Sequence, residues 1–287
     1  MQFGTLYVVA TPIGNLEDMT PRAIRVLNEV DMIAAEDTRH SATLLRHFGI
    51  HTETISLHEH NERDRVPSCV ELLRSGKSIA LISDAGTPLI SDPGYRLVGS
   101  AVSAGVSVVP IPGACAAIAA LSVAGLPTDR FVFEGFPPAR TAARRAAFEI
   151  LLPETRTLVF YESAHRIVET IDDMIAVFGS DRPAVMAREL TKAFETQYRG
   201  TLADLRAGLA RSAEDRLGEF VVLLHGAAAD VDAIAPFAER TLRLLLAELP
   251  LKQAVSLAAE IAGVSKNALY RRALELKQGA GERDNAG

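Results

Sequence analysis

Ser78 to Gly94 reads SIALISDAGTPLISDPG, and the reading of this stretch decides the fold. Ser78–Ser83 is a short run rich in Ile and Leu that stops at turn chemistry, which suits a buried strand better than a helix. The strand should end at Asp84. Gly86, Thr87, Pro88, Ser91, Asp92, Pro93 and Gly94 then make a loop, and Tyr95–Ala104 reads as a helix that begins just after a proline. Asp, Gly and Pro build ordinary turns as well. Two Asp-containing turns in one loop, however, exceed a strand-to-helix link of about two to six residues. Ligands of open α/β sheets bind at the carboxyl ends of strands, so the stretch reads as a ligand loop.

Working outward, the same alternation recurs. Thr5–Ala10 is a strand of β-branched and aromatic residues, broken by TPIGNLEDMTPR before a helix over Pro21–Glu29. Val30–Ala35 is a second strand, closed by Glu36 and Asp37, and Thr38–Phe48 a helix carrying Arg39, His40 and Arg46. Thr54–Leu57 is a short third strand, followed by a helix to about Arg74. His58, Glu59 and His60 precede that helix, but alternating residues on one loop rarely complete a ligand set, so no metal is expected. Beyond the central loop, Val106–Ile111 is a strand that runs into PGACAAIAALSVAGL. Its small residues allow a helix to lie close to a sheet with its first amides toward a ligand. Five alternations of strand and helix predict a mostly parallel, doubly wound sheet, with a boundary at Leu126–Thr128.

In the second half, strands are predicted for the segment ending at Glu134, for Thr157–Tyr161, Pro183–Arg188 and Glu219–His225. Phe194–Gly200 reads as an extended arm, and helices fall at Thr141–Leu152, up to Phe178, and at Leu202–Ala210. The expectation is a smaller mixed sheet of these strands and the arm. Polar strand ends in both halves predict a cleft between two α/β domains. Ala235–Lys277 is helical in pattern. Ala258, Ala259 and Gly263, with Val264 and Ser265 following, read as a helix-turn-helix whose second, basic helix is capped by Ser265. Gly279–Gly287 reads as a disordered tail. The predicted domains are therefore 1–126, 127–228 and a helical appendage with tail at 229–287.

The 287 residues, 48% apolar and 23% charged, suffice for two domains and a large core without covalent staples. Cys69 and Cys115 are far apart and outside any C-x-x-C pattern, so each reads as a small buried hydrophobe. The opening MQFGTLYVVA has no basic n-region, and no apolar run nears the roughly 18 residues that cross a bilayer, so a cytoplasmic protein is expected. A net charge of −6 argues against indiscriminate coating of nucleic acid but allows a local basic face. The two such faces are Arg140, Arg144 and Arg145, and Lys266, Arg271, Arg272 and Lys277, each otherwise a solvated helix surface.

Taken together, VATPIGNLED (Val9–Asp18), AEDTR (Ala35–Arg39), SDAGTPLISDPG (Ser83–Gly94), PIPGA (Pro110–Ala114), FEGFPP (Phe133–Pro138), FYESAHR (Phe160–Arg166) and RELTK (Arg188–Lys192) carry a resemblance. The chain resembles the tetrapyrrole-methylase-like superfamily of S-adenosylmethionine-dependent methyltransferases. It is most similar to the branch that 2′-O-methylates a cytidine ribose in bacterial small-subunit (16S) ribosomal RNA. The match spans Leu6 to Leu224. The resemblance implies two α/β domains with the cofactor in the cleft between them, usually a homodimer, acting on small-subunit RNA or the assembled subunit. Carried over by motif, the residues facing S-adenosylmethionine would be Pro12, Gly14, Asp84, Ala85, Gly86, Thr87, Pro88, Pro112, Gly113, Ala114, Glu134, Gly135, Phe136, Tyr161, Ala187, Arg188, Glu189 and Leu190.

Methyl transfer from a sulfonium needs alignment and exclusion of water rather than a metal. A ribose hydroxyl also needs a carboxylate to take its proton, and Glu36, Asp37, Glu162 and Glu189 qualify because each follows a predicted strand. For each, a helix cap or a salt bridge is the competing explanation. Arg188 and Lys192 would steer phosphate. Two other functions stay open: a tetrapyrrole, small-molecule or protein methyltransferase of the same fold, and a ligand-sensing nucleic-acid-binding regulator, which would need a palindromic duplex target.

Overall fold

Ile79–Ile82 is a strand with all four side chains buried, as a parallel strand covered on both faces requires. The computed structural model describes residues 3–228 and 236–281, the latter without the side chains of residues 236, 275 and 277–281. The chain divides into two compact units, residues 1–227 and 228–287.

The first unit holds two sheets. Strands β1 (Thr5–Val9), β2 (Met32–Ala35), β3 (Thr54–Ser56), β4 (Ile79–Ile82) and β5 (Ser107–Ile111) form a fully parallel sheet in the order β3-β2-β4-β1-β5. Helices α1 (Pro21–Glu29) and α2 (Thr38–His47) cover one face, where Val26, Leu27 and Leu45 meet Ile33, Ala80 and Ile82. Helices α3 (Glu62–Arg74) and α4 (Tyr95–Ser103) cover the other, where Cys69, Leu73, Leu97 and Ala101 meet Ile79 and Leu81. Thus the crossovers leaving the adjacent strands β1 and β4 run to opposite faces, and a crevice opens between their carboxyl ends. Helix starts follow local chemistry: Pro21 opens α1 behind the Thr20 cap, and the Asp37 carboxylate caps α2 by accepting from the Arg39 amide at 2.8 Å.

Helix α5 (Ala116–Ala124) leaves the first sheet and packs on the second. Its Ala117, Ala120, Leu121 and Ala124 lie against Val159, Val185, Val221 and Leu223, and the small side chains allow that close approach. The second sheet has strands β6 (Phe131–Gly135), β7 (Thr157–Ser163), β8 (Pro183–Arg188), β9 (Thr196–Thr201) and β10 (Glu219–Leu224), in the order β6-β7-β10-β8-β9. Only the β6–β7 pair is parallel. With five strands it matches the first sheet in number, which corrects the expectation of a smaller sheet. The extended arm is β9, an ordinary antiparallel edge strand on β8. Alternation sorts the strand residues: Phe220, Val222 and Leu224 face α6 (Thr141–Leu151), α7 (Ile167–Phe178) and α8 (Leu202–Gly208), while Val221 and Leu223 face α5.

Arg144, expected on a basic surface, is fully buried between α6 and α7. Its Nη2 lies 2.6 Å from Asp173 Oδ2, its Nε donates to the same oxygen, and its Nη1 donates to the Ala139 carbonyl. Arg145 stays half-exposed but also pairs with Asp173, at 2.6 Å. The i, i+3, i+4 stripe that packs α6 turned one basic residue inward, where Asp173, backbone carbonyls and, at 3.7 Å, the exposed Glu169 compensate its charge.

In the second unit, α9 (Pro236–Glu248), α10 (Leu251–Ala262) and α11 (Lys266–Gly281) enclose a core that includes Leu242, Val255, Ala258 and Leu269. Gly263 to Ser265 make the turn of the helix-turn-helix, and α11 extends to Gly281, past the point where a tail was expected; residues 282–287 lie outside the described residues. Arg272 is tied to Glu239 of α9 at 2.8 Å, so at least part of the second basic cluster serves helix packing. The side chain of Lys277 lies outside the described residues.

Asp173→Ala should lower unfolding stability by about 3–5 kcal/mol, because Arg144 is left buried with only the longer contact to the exposed Glu169. Denaturant unfolding with an unchanged m-value checks this. A loss below about 1 kcal/mol would show that the Arg144 charge is compensated by other groups.

Candidate functional site

The central loop, residues 83–94, is fastened to three neighbouring strand ends. Thr11, just after β1, and Gly86 exchange both backbone hydrogen bonds, Thr11 N to Gly86 O at 2.9 Å and Gly86 N to Thr11 O at 3.1 Å. The Thr87 hydroxyl donates to the Ala114 carbonyl after β5 at 2.9 Å, and Asp84 Oδ1 accepts from the Asp37 amide after β2. Gly86 has a φ of +86°, which side chains rarely adopt, and a Cβ there would lie 3.2 Å from Ile13. A Cβ on Gly113 would lie 2.8 Å from that of Ala10, so only glycine lets the β5–α5 loop approach β1 this closely.

Among the described residues, four other than glycine have positive φ: Leu89, Ser91, Glu189 and Thr191. Two lie in the central loop and two just after β8. Such strain costs of order 1–3 kcal/mol per residue and persists where the surroundings hold it. Both loops wall the same cavity, of about 370 Å³.

That cavity has two characters. Ile13, Ala116, Phe136, Tyr161, Ala187, Leu190 and Val221 form an apolar wall, with Tyr161 edge-on to Phe133 at 4.9 Å and to Phe136 at 5.6 Å. Glu36, Asp84 and Asp92 make the other end acidic. Burial pushes the Asp92 carboxyl up to about 6; the Ser83 hydroxyl opposes this, and the charges of Glu36 and Asp84 reinforce it. Glu36 is likewise raised, by burial first and then by Asp84. Burial, followed by Cys115, raises the Tyr161 phenol and keeps it protonated, and its oxygen accepts from the Ala117 amide at 3.0 Å. Among the described residues, no group of three or more His, Cys, Asp or Glu side chains is placed to hold a metal ion.

The family of tetrapyrrole (corrin/porphyrin) methylases matches residues 5–206, and a C-terminal helix-turn-helix domain, the RsmI C-terminal HTH domain, matches residues 232–277. The chain belongs to the tetrapyrrole methylase family. It is 56% identical over 277 residues to ribosomal RNA small subunit methyltransferase I of Pseudomonas aeruginosa, covering 96% of this chain and 98% of that one. Proteins of the same name from Haemophilus influenzae and Mesorhizobium japonicum are 52% and 48% identical over 270 and 279 residues, covering 93% and 97% of this chain and 95% and 94% of theirs. Two solved structures share the fold at low identity. The methyltransferase CobJ aligns with TM-score 0.58 at 19% identity over 81% of this chain and 98% of its own, and a diphthine synthase with 0.57 at 16% over 77% and 89%.

As a tetrapyrrole methylase the chain uses S-adenosylmethionine. The cavity suits it: an apolar, aromatic wall for a nucleoside, and an acidic end for a ligand carrying sulfonium and ammonium charges.

Of the residues carried over by motif, Asp84, Ala85, Gly86, Thr87, Phe136, Tyr161, Ala187 and Leu190 line the cavity. Pro12, Gly14, Pro88, Pro112, Gly113, Ala114, Glu134, Gly135, Arg188 and Glu189 do not; where these belong to a lining loop, the lining falls to neighbours such as Ile13, Cys115 and Ala116. Cys69 is fully buried, but Cys115 is half-buried and faces the cavity, which corrects its reading as a core residue.

Three of the four carboxylates singled out are committed elsewhere. Asp37 caps α2. Glu162, its side chain buried, accepts from Thr170 Oγ1 at 2.6 Å and the Ser163 amide at 2.8 Å and pairs with Arg166. Glu189 accepts from Lys192 Nζ and the Glu219 amide, both at 2.9 Å. Burial alone would raise the Glu189 carboxyl, but the Lys192 ammonium and the Glu219 amide outweigh it and hold it low.

Two cations expected to steer phosphate are similarly occupied. Arg188 is buried and donates from Nε to the Leu217 carbonyl at 2.7 Å, and Lys192 pairs with Glu189 and Glu219. Of the four carboxylates, Glu36 and Glu162 line the cavity, Glu162 with its oxygens already taken by Thr170, Ser163 and Arg166, and Asp92 joins them there. Asp92 carried a signal, the second aspartate turn of the central loop. Phe220 and Val221 carried none, being ordinary strand residues.

Gly86→Val should abolish measurable S-adenosylmethionine binding in calorimetry while the circular dichroism spectrum is retained, since a branched residue is strained at this φ and displaces Ile13. Unchanged affinity in the folded variant would remove the central loop from the site.

Proposed function

We propose that this chain transfers the methyl group of S-adenosylmethionine to the 2′-hydroxyl of a cytidine ribose in small-subunit (16S) ribosomal RNA, as a cytoplasmic homodimer. One observation carries the reading: identity of 48–56% to ribosomal RNA small subunit methyltransferases runs through more than nine-tenths of the chain, well past the methylase match and into the helical unit. No helix among the described residues is long and apolar enough to cross a membrane.

S-adenosylmethionine supplies an activated methyl on a sulfonium. The chain supplies position, dryness and a proton acceptor. The apolar wall from Ile13 to Val221 excludes water, and the fastened central loop holds its groups still, which is where catalysis by orientation comes from. We assign the proton of the ribose hydroxyl to the Asp92 carboxylate. Asp92 lines the cavity, its raised pKa makes it a better base than an exposed aspartate, and no hydrogen bond to an amide or an ion pair restrains it. Glu36 and Asp84 raise its basicity by charge. Exposed Arg140, Arg145, Lys266 and Arg271 remain available to phosphates alongside their protein contacts.

Labelled S-adenosylmethionine offered with naked small-subunit RNA, assembled subunits and a tetrapyrrole precursor should label RNA at a cytidine ribose. Label on the tetrapyrrole alone would overturn the reading. Because Asp92 must be ionised, kcat should rise about tenfold per pH unit below about 6 and level off above it. Asp92→Asn should remove that limb and lower kcat by roughly 10²–10⁴ at saturating cofactor. A retained limb in Asp92→Asn would transfer the role to Glu36.

A further inference from the structure

A second depression, outside the cavity, lies between α3 and α4. Val66, Pro67 and Val70 of α3 and Gly99, Ser100 and Ser103 of α4 form its floor and sides. Arg63, Arg74 and Arg96 line it together with Tyr95.

Three observations give it a chemistry. First, it is basic within a chain of net charge −6. No carboxylate lines it, and among the described residues neither Arg63 nor Arg74 has an ion-pair partner. Asp64 and Glu71 sit about 80–100° round α3 from Arg63 at 3.6 residues per turn. The one abutting carboxylate, Glu62, is buried and accepts from the Arg96 and Leu97 amides at 2.9 and 3.3 Å; its contact with Arg96 Nε is 3.9 Å.

Second, Tyr95 is 80% exposed, more than any other large apolar side chain among the described residues. An aromatic ring held out beside guanidinium groups is what stacks an unpaired base. Third, the loop that lines the cavity runs on into the depression. Ile90, Ser91 and Asp92 line the cavity, and the same loop passes through Gly94 into Tyr95 and Arg96. Helices α3 and α4 both start at the carboxyl edge of the parallel sheet, so Arg63, Tyr95 and Arg96 stand at the edge where the cavity lies. From there Arg63 to Arg74 spans about 16 Å at 1.5 Å per residue, longer than a single phosphate needs.

We propose that the α3–α4 groove holds a single-stranded segment of the substrate RNA next to the methylated nucleotide, with Arg63, Arg74 and Arg96 on phosphates and Tyr95 stacked on a base. This rests on the RNA-methylating function proposed above. It gives the enzyme a substrate grip that does not involve the cofactor cavity.

The test uses the full chain as wild type, Arg63→Ala/Arg74→Ala and Tyr95→Ala, with small ribosomal subunits and a fluorescent single-stranded oligoribonucleotide as probes. Arg96 is kept so that the contacts of Glu62 with α4 are undisturbed. The double arginine variant should weaken RNA binding and flatten its log–log salt dependence by about 0.7 per lost contact, about 1.4 in all. Tyr95→Ala should weaken binding about tenfold with little change in slope. S-adenosylmethionine affinity should stay at the wild-type value in both, and Arg63→Lys/Arg74→Lys should restore most of the slope. If wild type methylates RNA while the variants keep its affinity and slope, the groove is not the RNA path. A change of oligomeric state in the variants with RNA affinity intact would make it a protein interface and overturn the proposal. Absence of RNA methylation by wild type would instead fell the function reading itself.

Discussion

The two backbone hydrogen bonds between Thr11 and Gly86 are the constraint on which the site depends. They join the loops leaving β1 and β4, the adjacent strands whose crossovers depart to opposite faces. Without such a tie, two loops at a switch point would each be free to lift away from the sheet. With it, the Thr87 contact to Ala114 and the Asp84 contact to the Asp37 amide gather the ends of four parallel strands around one loop. The positive φ angles of Leu89 and Ser91 are tolerable because these anchors outweigh their strain.

The second sheet closes the site by a different device. Helix α5 leaves the parallel sheet and lies on the inner faces of β7, β8 and β10, so the last crossover of one sheet is the floor of the other. The loop after β8 is secured through Glu189, whose carboxylate joins Lys192 to the start of β10. Charged groups that flank the cavity in sequence are thus divided by geometry. Glu189, Arg188 and Lys192 brace the walls from outside, Glu162 lines the cavity with its carboxylate held by protein partners, and Glu36, Asp84 and Asp92 make its acidic end. Burial first, and then the like charges of Glu36 and Asp84, disfavour ionisation of Asp92, which would suit it to the proton-accepting role proposed for it.

On the proposed function, substrate recognition is spread over separate pieces. The cavity would take the reacting groups and the arginines of α3 and α4 the RNA strand. In an acidic chain, attraction to a polyanion has to come from local clusters rather than from net charge.

The fold and the ligand loop were legible in the sequence because both rest on local chemistry. Apolar runs of four to six residues ended by Asp, Gly and Pro marked the strands, and Pro21 and Asp37 marked the starts of α1 and α2. Motif resemblance led to the loops that wall the cavity. What sequence order could not supply was direction. Alternation along a strand says that Val221 and Phe220 point oppositely, not which of the two packs on α5 and which on α6, α7 and α8. Arg144 and Arg140 look alike as neighbours in a basic run, and only the packing of α6 on α7 buried the first against Asp173. Glu162, Glu189 and Asp92 all follow strands, and only tertiary contacts decided which carboxylates would be neutralised by partners and which would remain in the cavity. Local propensity depends on a residue and its neighbours in the chain. Burial and charge pairing depend on neighbours in space, and those exist once the two sheets have closed over α5.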